Sequence, residues 1–492
     1  MSLIPLALPP GVYRNGTEYQ QSNRWRDASL VRWRDGSLRP IGGWRTRIAT
    51  AFNAAPRAML TWEDFSSDLH IAAGTYNKLY AVSESNIIYD ITPSGLTAGT
   101  LDAEIVIGYG GGFYGDSYYG TPRVNNTGYG EATTWSLDNW GEYLVACSVA
   151  DGKLYEWDLN VANIATQITN APVDNLALLV TEERFLFALG AGGNPRKIAW
   201  CDREDNTTWT PAATNEAGDI QLQTSGEIMA GIRVQGRAFI LTDLDAHIAN
   251  YVGPPYVYGF ERVGNHCGLI ARNAAAAVDE GVFWMGSDGF FMFNGSTVSK
   301  MPCDVADFIF DDINFVQRSK IYALVNSEFG EIWWFYPDEA SNENSKYVSY
   351  NYKENFWMLG ELCRTAGVDA GVFSYPMASC SSGNLFEHEV GLNTDGRAIY
   401  AETGPISLGN GDQVMAVSSL IPDEINQGDV EVTFKTRFHP NDTERSYGPY
   451  QMANPTSVRF TGRQIRMRIE GAKLAAWRAG TMRIDAVPRG KR

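Results

Sequence analysis

Histidine and cysteine are scarce in this chain, with five and six copies in 492 residues. The cysteines (Cys147, Cys201, Cys267, Cys303, Cys363 and Cys380) form no CxxC pair, so no disulfide-dense framework is expected. The histidines (His70, His247, His266, His388 and His439) lie far apart, with no HExxH and no carboxylate at ligand spacing. A GxSxG elbow, a P-loop lysine and a strand–helix GxGxxG are also missing. No cofactor, no metal and no catalytic residue is therefore assigned, and the chain is read as a non-enzyme. Glycoside hydrolysis is the hardest class to set aside, because it needs only two carboxylates and 57 acidic residues are present. Nothing in the sequence selects a pair, and no Asp-box repeat occurs.

Long apolar runs are absent too: none approaches the roughly 18 residues of a spanning helix. The opening MSLIPLALPPG lacks a basic segment and carries Pro5, Pro9 and Pro10, which suit an extended arm better than a signal peptide. Helical patterning is weak. The best candidate is 302–320, where Phe308, Ile309, Ile313, Phe315 and Val316 make a partial stripe. Its acidic residues Asp304, Asp307, Asp311 and Asp312 lack calcium-loop spacing and read as a solvated face.

What the chain has in quantity is glycine, 49 residues, with aromatics at 12%. That is the composition of short strands joined by tight turns. Apolar runs of strand length recur in pairs: 69–82, 142–158, 184–202, 237–252, 281–295 and 321–337, with a weaker copy at 382–389. Repeated hairpins at this period predict an all-β fold: an irregular β-propeller of six or seven blades over 51–400. Stacked β-sandwiches remain the alternative, because the period is uneven. The Gly/Tyr-rich insertion 108–130 offers Tyr109, Phe113, Tyr114, Tyr118 and Tyr119 as exposed aromatics for a partner or a glycan, or covers a strand edge.

Charge divides the chain. Net charge is −17, yet 1–50 holds eight basic and three acidic residues, and 431–492 holds thirteen and five. The acidic middle argues against wrapped nucleic acid. At the start, VRWRDGSLRPIGGW reads as a hairpin turning at Asp35-Gly36. Within an arm-and-hairpin unit over 1–50, Arg32, Trp33, Arg34, Arg39 and Trp44 are candidate docking contacts, if the tryptophans do not pack on their own domain. Truncation of 1–47 is then expected to leave a folded body. At the other end, 401–492 reads as a small antiparallel β domain. Val458, Phe460, Ile465, Met467 and Ile469 alternate there with Arg459, Arg463, Arg466 and Arg468, and 430–437 pairs beside them. Its basic face is either solvated or meets an acidic neighbour.

Three segments carry a family resemblance: RWRDASLVRWRDGSLRPIGGW, GNLFEHEVGLNTDGRAIYAETGPISLGNGDQ (383–413) and TGRQIRMRIEGAKLAAWRAGTMRIDAVPRGKR. Together they resemble tail-nozzle and head-to-tail connector proteins of short-tailed bacteriophages, many of which open with an N-x-R-x-x-x-G-x-x-x-x-R-x-G motif. The resemblance implies a virion protein, assembled in the host cytoplasm, six copies of which form a ring around the DNA channel. Its partners would be itself, a tail adaptor ring, fibre, spike or needle proteins, and double-stranded DNA passing without specific binding. Two other readings stay open: a carbohydrate-binding propeller and a glycan depolymerase.

Overall fold

The computed structural model describes residues 2–106, 128–408, 413–439 and 442–490. It is an all-β protein of many small antiparallel sheets. Eight of them are four-stranded, and seven of these follow one another along the chain, over 58–90, 135–167, 177–221, 228–265, 275–301, 322–361 and 366–388. In the first six, consecutive strands are neighbours, so each sheet is a local meander. The apolar pairs seen in the sequence are the second and third strands of the first five sheets. In the sixth sheet they are the first and second, Tyr322–Asn326 and Glu331–Tyr336.

Packing links these sheets in order. The first strand of each touches the first strand of the next, and Ala366–Val368 of the seventh touches Ala58–Glu63 of the first. Small residues such as Ala177, Ala230, Gly231, Ala275 and Ala323 stand on these first strands, where close approach matters most. Large aromatics fill the spaces between sheets. Phe187, Trp200 and Tyr258 cluster between the third and fourth, with Phe187 and Tyr258 4.8 Å apart edge to face.

The seventh sheet has only three strands from its own stretch. Its fourth is Trp44–Thr46, antiparallel to Leu385–His388 in the register His388↔Trp44. Two further N-terminal strands join sheets at the other end of the chain. Ser2–Pro5 pairs with Arg483–Pro488, and Trp25–Ser29 pairs with Tyr400–Thr403. The segment 1–50 thus contributes strands to three sheets completed by later parts of the chain. In the C-terminal sheets, Val430–Arg437 and Gln464–Gly471 pair as neighbours, and Val432, Phe434, Ile465, Met467 and Ile469 are buried as their alternation implied.

Between those N-terminal strands sits the hairpin Val31–Arg34/Ser37–Pro40. Asp35 and Gly36 have φ of +52° and +72°, the two positive values of a type I′ turn. A Cβ at Gly36 would meet nothing within 4 Å. Gly36→Ala therefore isolates backbone strain, and urea denaturation is expected to read a loss of about 1 kcal/mol.

The single helical stretch expected at 302–320 is two short pieces, an α-helix at Ala306–Asp312 and a 3-10 helix at Phe315–Lys320. Asn314 breaks them by accepting a hydrogen bond from the Val316 N–H. Their acidic residues have separate partners: Asp307 accepts from Gly16 N–H, while Asp312 pairs with Lys346. Among the described residues no helix is long and apolar enough to cross a membrane, and no cluster of three metal-ligating side chains occurs.

Candidate functional site

Most of the candidate contacts of the N-terminal hairpin turn inward. Arg32, Trp33 and Trp44 are all buried. Arg32 lies inside the chain's own core, bonding Glu331 through Nε and Nη2 at 3.0 and 2.9 Å and Glu389 through Nη1 and Nη2 at 3.0 and 2.7 Å. Burial alone would lower its pKa, but the two carboxylates outweigh that and hold the guanidinium charged. Trp33 packs between Trp25 and Phe356, and Trp44 donates to Asp395. Only Arg34 is exposed, and half-buried Arg39 turns back to Ser37 and Asp35.

The basic face of the C-terminal sheet finds its acidic neighbour within the same chain. Glu18 pairs with Arg437, Arg466 and Arg26, and Glu444 also reaches Arg466. Arg468 lies 3.5 Å over the Tyr400 ring and bonds Glu470. Arg463 is half-buried, and Arg459 faces solvent. The aromatic candidates Tyr109, Phe113, Tyr114, Tyr118 and Tyr119 lie outside the described residues.

A site that the sequence did not single out forms where the first strands begin. The starts of six of them line a cavity of about 180 Å³, with Ala58, Trp135, Ala177, Met229, Ala275 and Tyr322 on its wall. Arg272 and Asn273 also line it, and Arg57 and Lys320 stand just before the starts of two more of these strands. Arg57 makes a bidentate pair with Glu343, at 2.7 and 2.8 Å, and the Asn273 amide donates to the Arg57 carbonyl. Lys320 Nζ donates to Asp102, Glu343 and the Asn342 carbonyl at 2.5, 3.0 and 2.6 Å. Arg272 binds the carbonyls of Ile228 and Met229 and lies 3.5 Å from both Glu131 and Glu227.

The layering of these charges decides what solvent meets. The side chains of Lys320, Arg57 and Arg272 are 0, 1 and 8% exposed, whereas Asp102, Glu131, Glu227 and Glu343 range from 26 to 42%. Cations lie beneath, and carboxylates form the outer rim. Burial would raise the Glu343 carboxyl, but Arg57 and Lys320 hold it below its ordinary value. Glu227 moves the other way: burial raises it, Arg272 offsets only part, and Glu131 adds repulsion. A carboxyl shifted up beside a second carboxylate can give a proton to a ligand or take one from it.

The rim is anchored from the link between the first two sheets. Gln317 brackets Ala103 with two hydrogen bonds, and Ser319 accepts from Ala132 N–H. Between those points Glu104–Val106 and Gly128–Gly130 pair as the base of the Gly/Tyr-rich insertion. One sequence signal pointed here: a basic residue stands one to three positions before the first strand in four sheets, at Arg57, Arg272, Lys320 and Arg364.

No family model and no curated protein matches the chain. Solved structures of related shape include virginiamycin B lyase from Staphylococcus aureus, at 6% identity and TM-score 0.42, covering 70% of this chain and 99% of that one. BamB from Moraxella catarrhalis shows 9% identity and TM-score 0.38, over 71% and 97% of the two chains. PorZ, a surface component of the type-IX secretion system of Porphyromonas gingivalis, shows 10% and 0.38, over 76% and 44%. These are bacterial proteins, one of them a lyase, and none is a phage tail component. The tail-nozzle expectation is corrected accordingly. With it go the six-copy ring, the adaptor, fibre, spike and needle partners, the passing DNA and the virion location. The non-enzyme reading is corrected as well, since a lyase is among the proteins of similar shape. At these identities and TM-scores no activity is transferred from them.

Proposed function

We propose that the seven sheets form a closed seven-bladed propeller, with Trp44–Thr46 completing the last blade, and that its axial mouth binds a cationic ligand such as a polyamine or the basic side chain of a peptide. Support for closure comes from the contact between the first strands of the seventh and first sheets. The observation that carries the ligand reading is the layered mouth, where four half-exposed carboxylates cover three buried cations. An acidic middle of the chain adds long-range attraction for the same class of ligand. Among the described residues no acidic side chain lines the cavity itself, which leaves recognition of a cation to the rim.

Calorimetric titration with spermidine and with an arginine-rich peptide tests this reading. Glu131→Gln/Glu227→Gln is expected to weaken binding about tenfold, equivalent to roughly 1.4 kcal/mol. Affinity should fall with added salt. It should also rise with pH through the acid range above 4.5, because Glu227 is shifted up and gains its charge there. Equal affinity in the double variant, or a pH trend of the opposite sign, overturns the assignment.

A further inference from the structure

The cavity lined by the first strands carries two polar groups that the chain itself leaves unused. Most polar side chains on its wall are spent. Trp135 donates to the Thr75 carbonyl, Ser136 to that of Leu178, Asn273 to that of Arg57 and Tyr322 to that of Gly367. Thr134 and Arg272 line the same cavity and differ from these. Thr134 is 3% exposed, and its hydroxyl has no hydrogen-bond partner. Arg272 spends Nη1 on the Ile228 and Met229 carbonyls and brings Nη2 to Glu131 and Glu227, but its buried Nε has no acceptor. A buried donor left without an acceptor is costly, and a ligand that supplies the acceptor recovers that cost.

A plain cation cannot supply that acceptor. An amine drawn in by Glu131 and Glu227 meets the more deeply buried Arg272 guanidinium behind them. The pair of layers is a dipole, negative toward solvent and positive toward the cavity, and a zwitterion presents the opposite dipole. We propose that the ligand of the mouth is a short amino acid. Its ammonium lies on Glu131 and Glu227, and its carboxylate enters the cavity and accepts from Arg272 Nε and the Thr134 hydroxyl. The assignment rests on the cation-binding reading of the mouth and adds the other end of the ligand. Arg272 belongs both to the cavity wall and to the rim pairing, so the two charged ends need lie only a few carbons apart. Size sets the same limit: the cavity holds about 180 Å³, below the roughly 300 Å³ at which pockets for drug-sized ligands begin. Charge-assisted bonds from a guanidinium to a carboxylate are among the stronger ones a protein makes.

Calorimetry on the full chain tests the proposal. Glycine, β-alanine and 4-aminobutyrate are compared with methylamine, ethylamine and propylamine, the same molecules without the carboxylate, and with spermidine. One or more of the amino acids is expected to bind about tenfold more tightly than its matching amine. Thr134→Val keeps the side chain's shape and removes the hydroxyl. It should weaken that amino acid about tenfold and leave the amines and spermidine unchanged. The Tm of the ligand-free variant should not fall, because the hydroxyl has no partner to lose. Amines that bind as tightly as their amino acids overturn the assignment, and so does an amino acid that Thr134→Val binds as tightly as the parent. Spermidine binding without any amino acid binding overturns it and spares the rim, whereas no binding by any of them removes both. Should Thr134→Val fail to fold, the comparison of each amino acid with its amine on the parent protein decides alone.

Discussion

Arg32→Met is expected to destabilise the protein by about 3–5 kcal/mol, the usual cost of breaking a buried ion pair from one side. Arg32 joins three parts of the chain: its own hairpin, the strand Glu331–Tyr336 and the segment at Glu389. Glu331 is fully buried and also accepts from Trp333 Nε1, so it cannot turn to water when its cation is lost. Phe329 lies 3.6 Å from the guanidinium and loses its stacking partner too. Arg32→Lys should recover only part of the loss, since one ammonium cannot serve two carboxylates with four directed bonds. The sign with pH follows from the orphaned acids. In Arg32→Met, burial without a cation raises the folded-state pKa of Glu331 above its unfolded value. The deficit is then largest above that raised pKa and shrinks as pH falls through it. Urea melts at several pH values measure this. A loss below 1 kcal/mol, or a deficit that grows on acidification, would count against the buried-network account.

Removal of residues 1–47 is expected to abolish cooperative folding. The truncated chain loses Trp44–Thr46 from the seventh sheet, Trp25–Ser29 from beside Tyr400–Thr403 and Ser2–Pro5 from beside Arg483–Pro488. It also loses Trp25, Trp33 and Trp44 from the core and leaves Glu331, Glu389 and Glu387 without their arginines. The sequence alone had suggested the reverse, a detachable clamp over an intact body. Near-UV circular dichroism and gel filtration of the truncated protein distinguish the two. A native spectrum and a compact monomer would restore the clamp. Recovery of that spectrum on adding a peptide of residues 20–47 would show that the segment acts as a structural part.

The contrast shows which features a sequence displays and which it hides. Local signals were legible: the Asp35-Gly36 turn, the repeated hairpins and the alternating face of Val458, Phe460, Ile465, Met467 and Ile469 each follow from neighbours within a few residues. Long-range pairing was not. Nothing near Arg45 announces that Glu387 is its partner, and nothing near Glu18 announces Arg437 and Arg466. An arginine–tryptophan ribbon fits a surface clamp and an interior brace equally well by composition, because arginine stems cover apolar surface in both. The same ribbon carried the family resemblance, and in this chain it serves as packing between distant strands. The axial rim escaped notice for a related reason. Asp102 and Glu131 come from the link between the first two sheets, Glu227 from the link before the fourth and Glu343 from a loop of the sixth, and only long-range pairing with Lys320, Arg272 and Arg57 gathers them.

The late partnering of the early strands sets a clock on synthesis. Arg45 is separated from Glu387 by 342 positions. At translation rates of about 5–20 residues per second, the N-terminal ribbon waits roughly 20–70 s after emerging before its partner strand exists. Throughout that interval Trp25, Trp33 and Trp44 are hydrophobic surface without a binding place. The first five sheets, being local meanders, can form meanwhile, but the ring of first-strand contacts stays open until the seventh sheet arrives. Slowing translation therefore prolongs exposure of the most aggregation-prone segment, and a holdase that shields nascent aromatic ribbons should raise the yield of native protein more than one that acts on the finished chain.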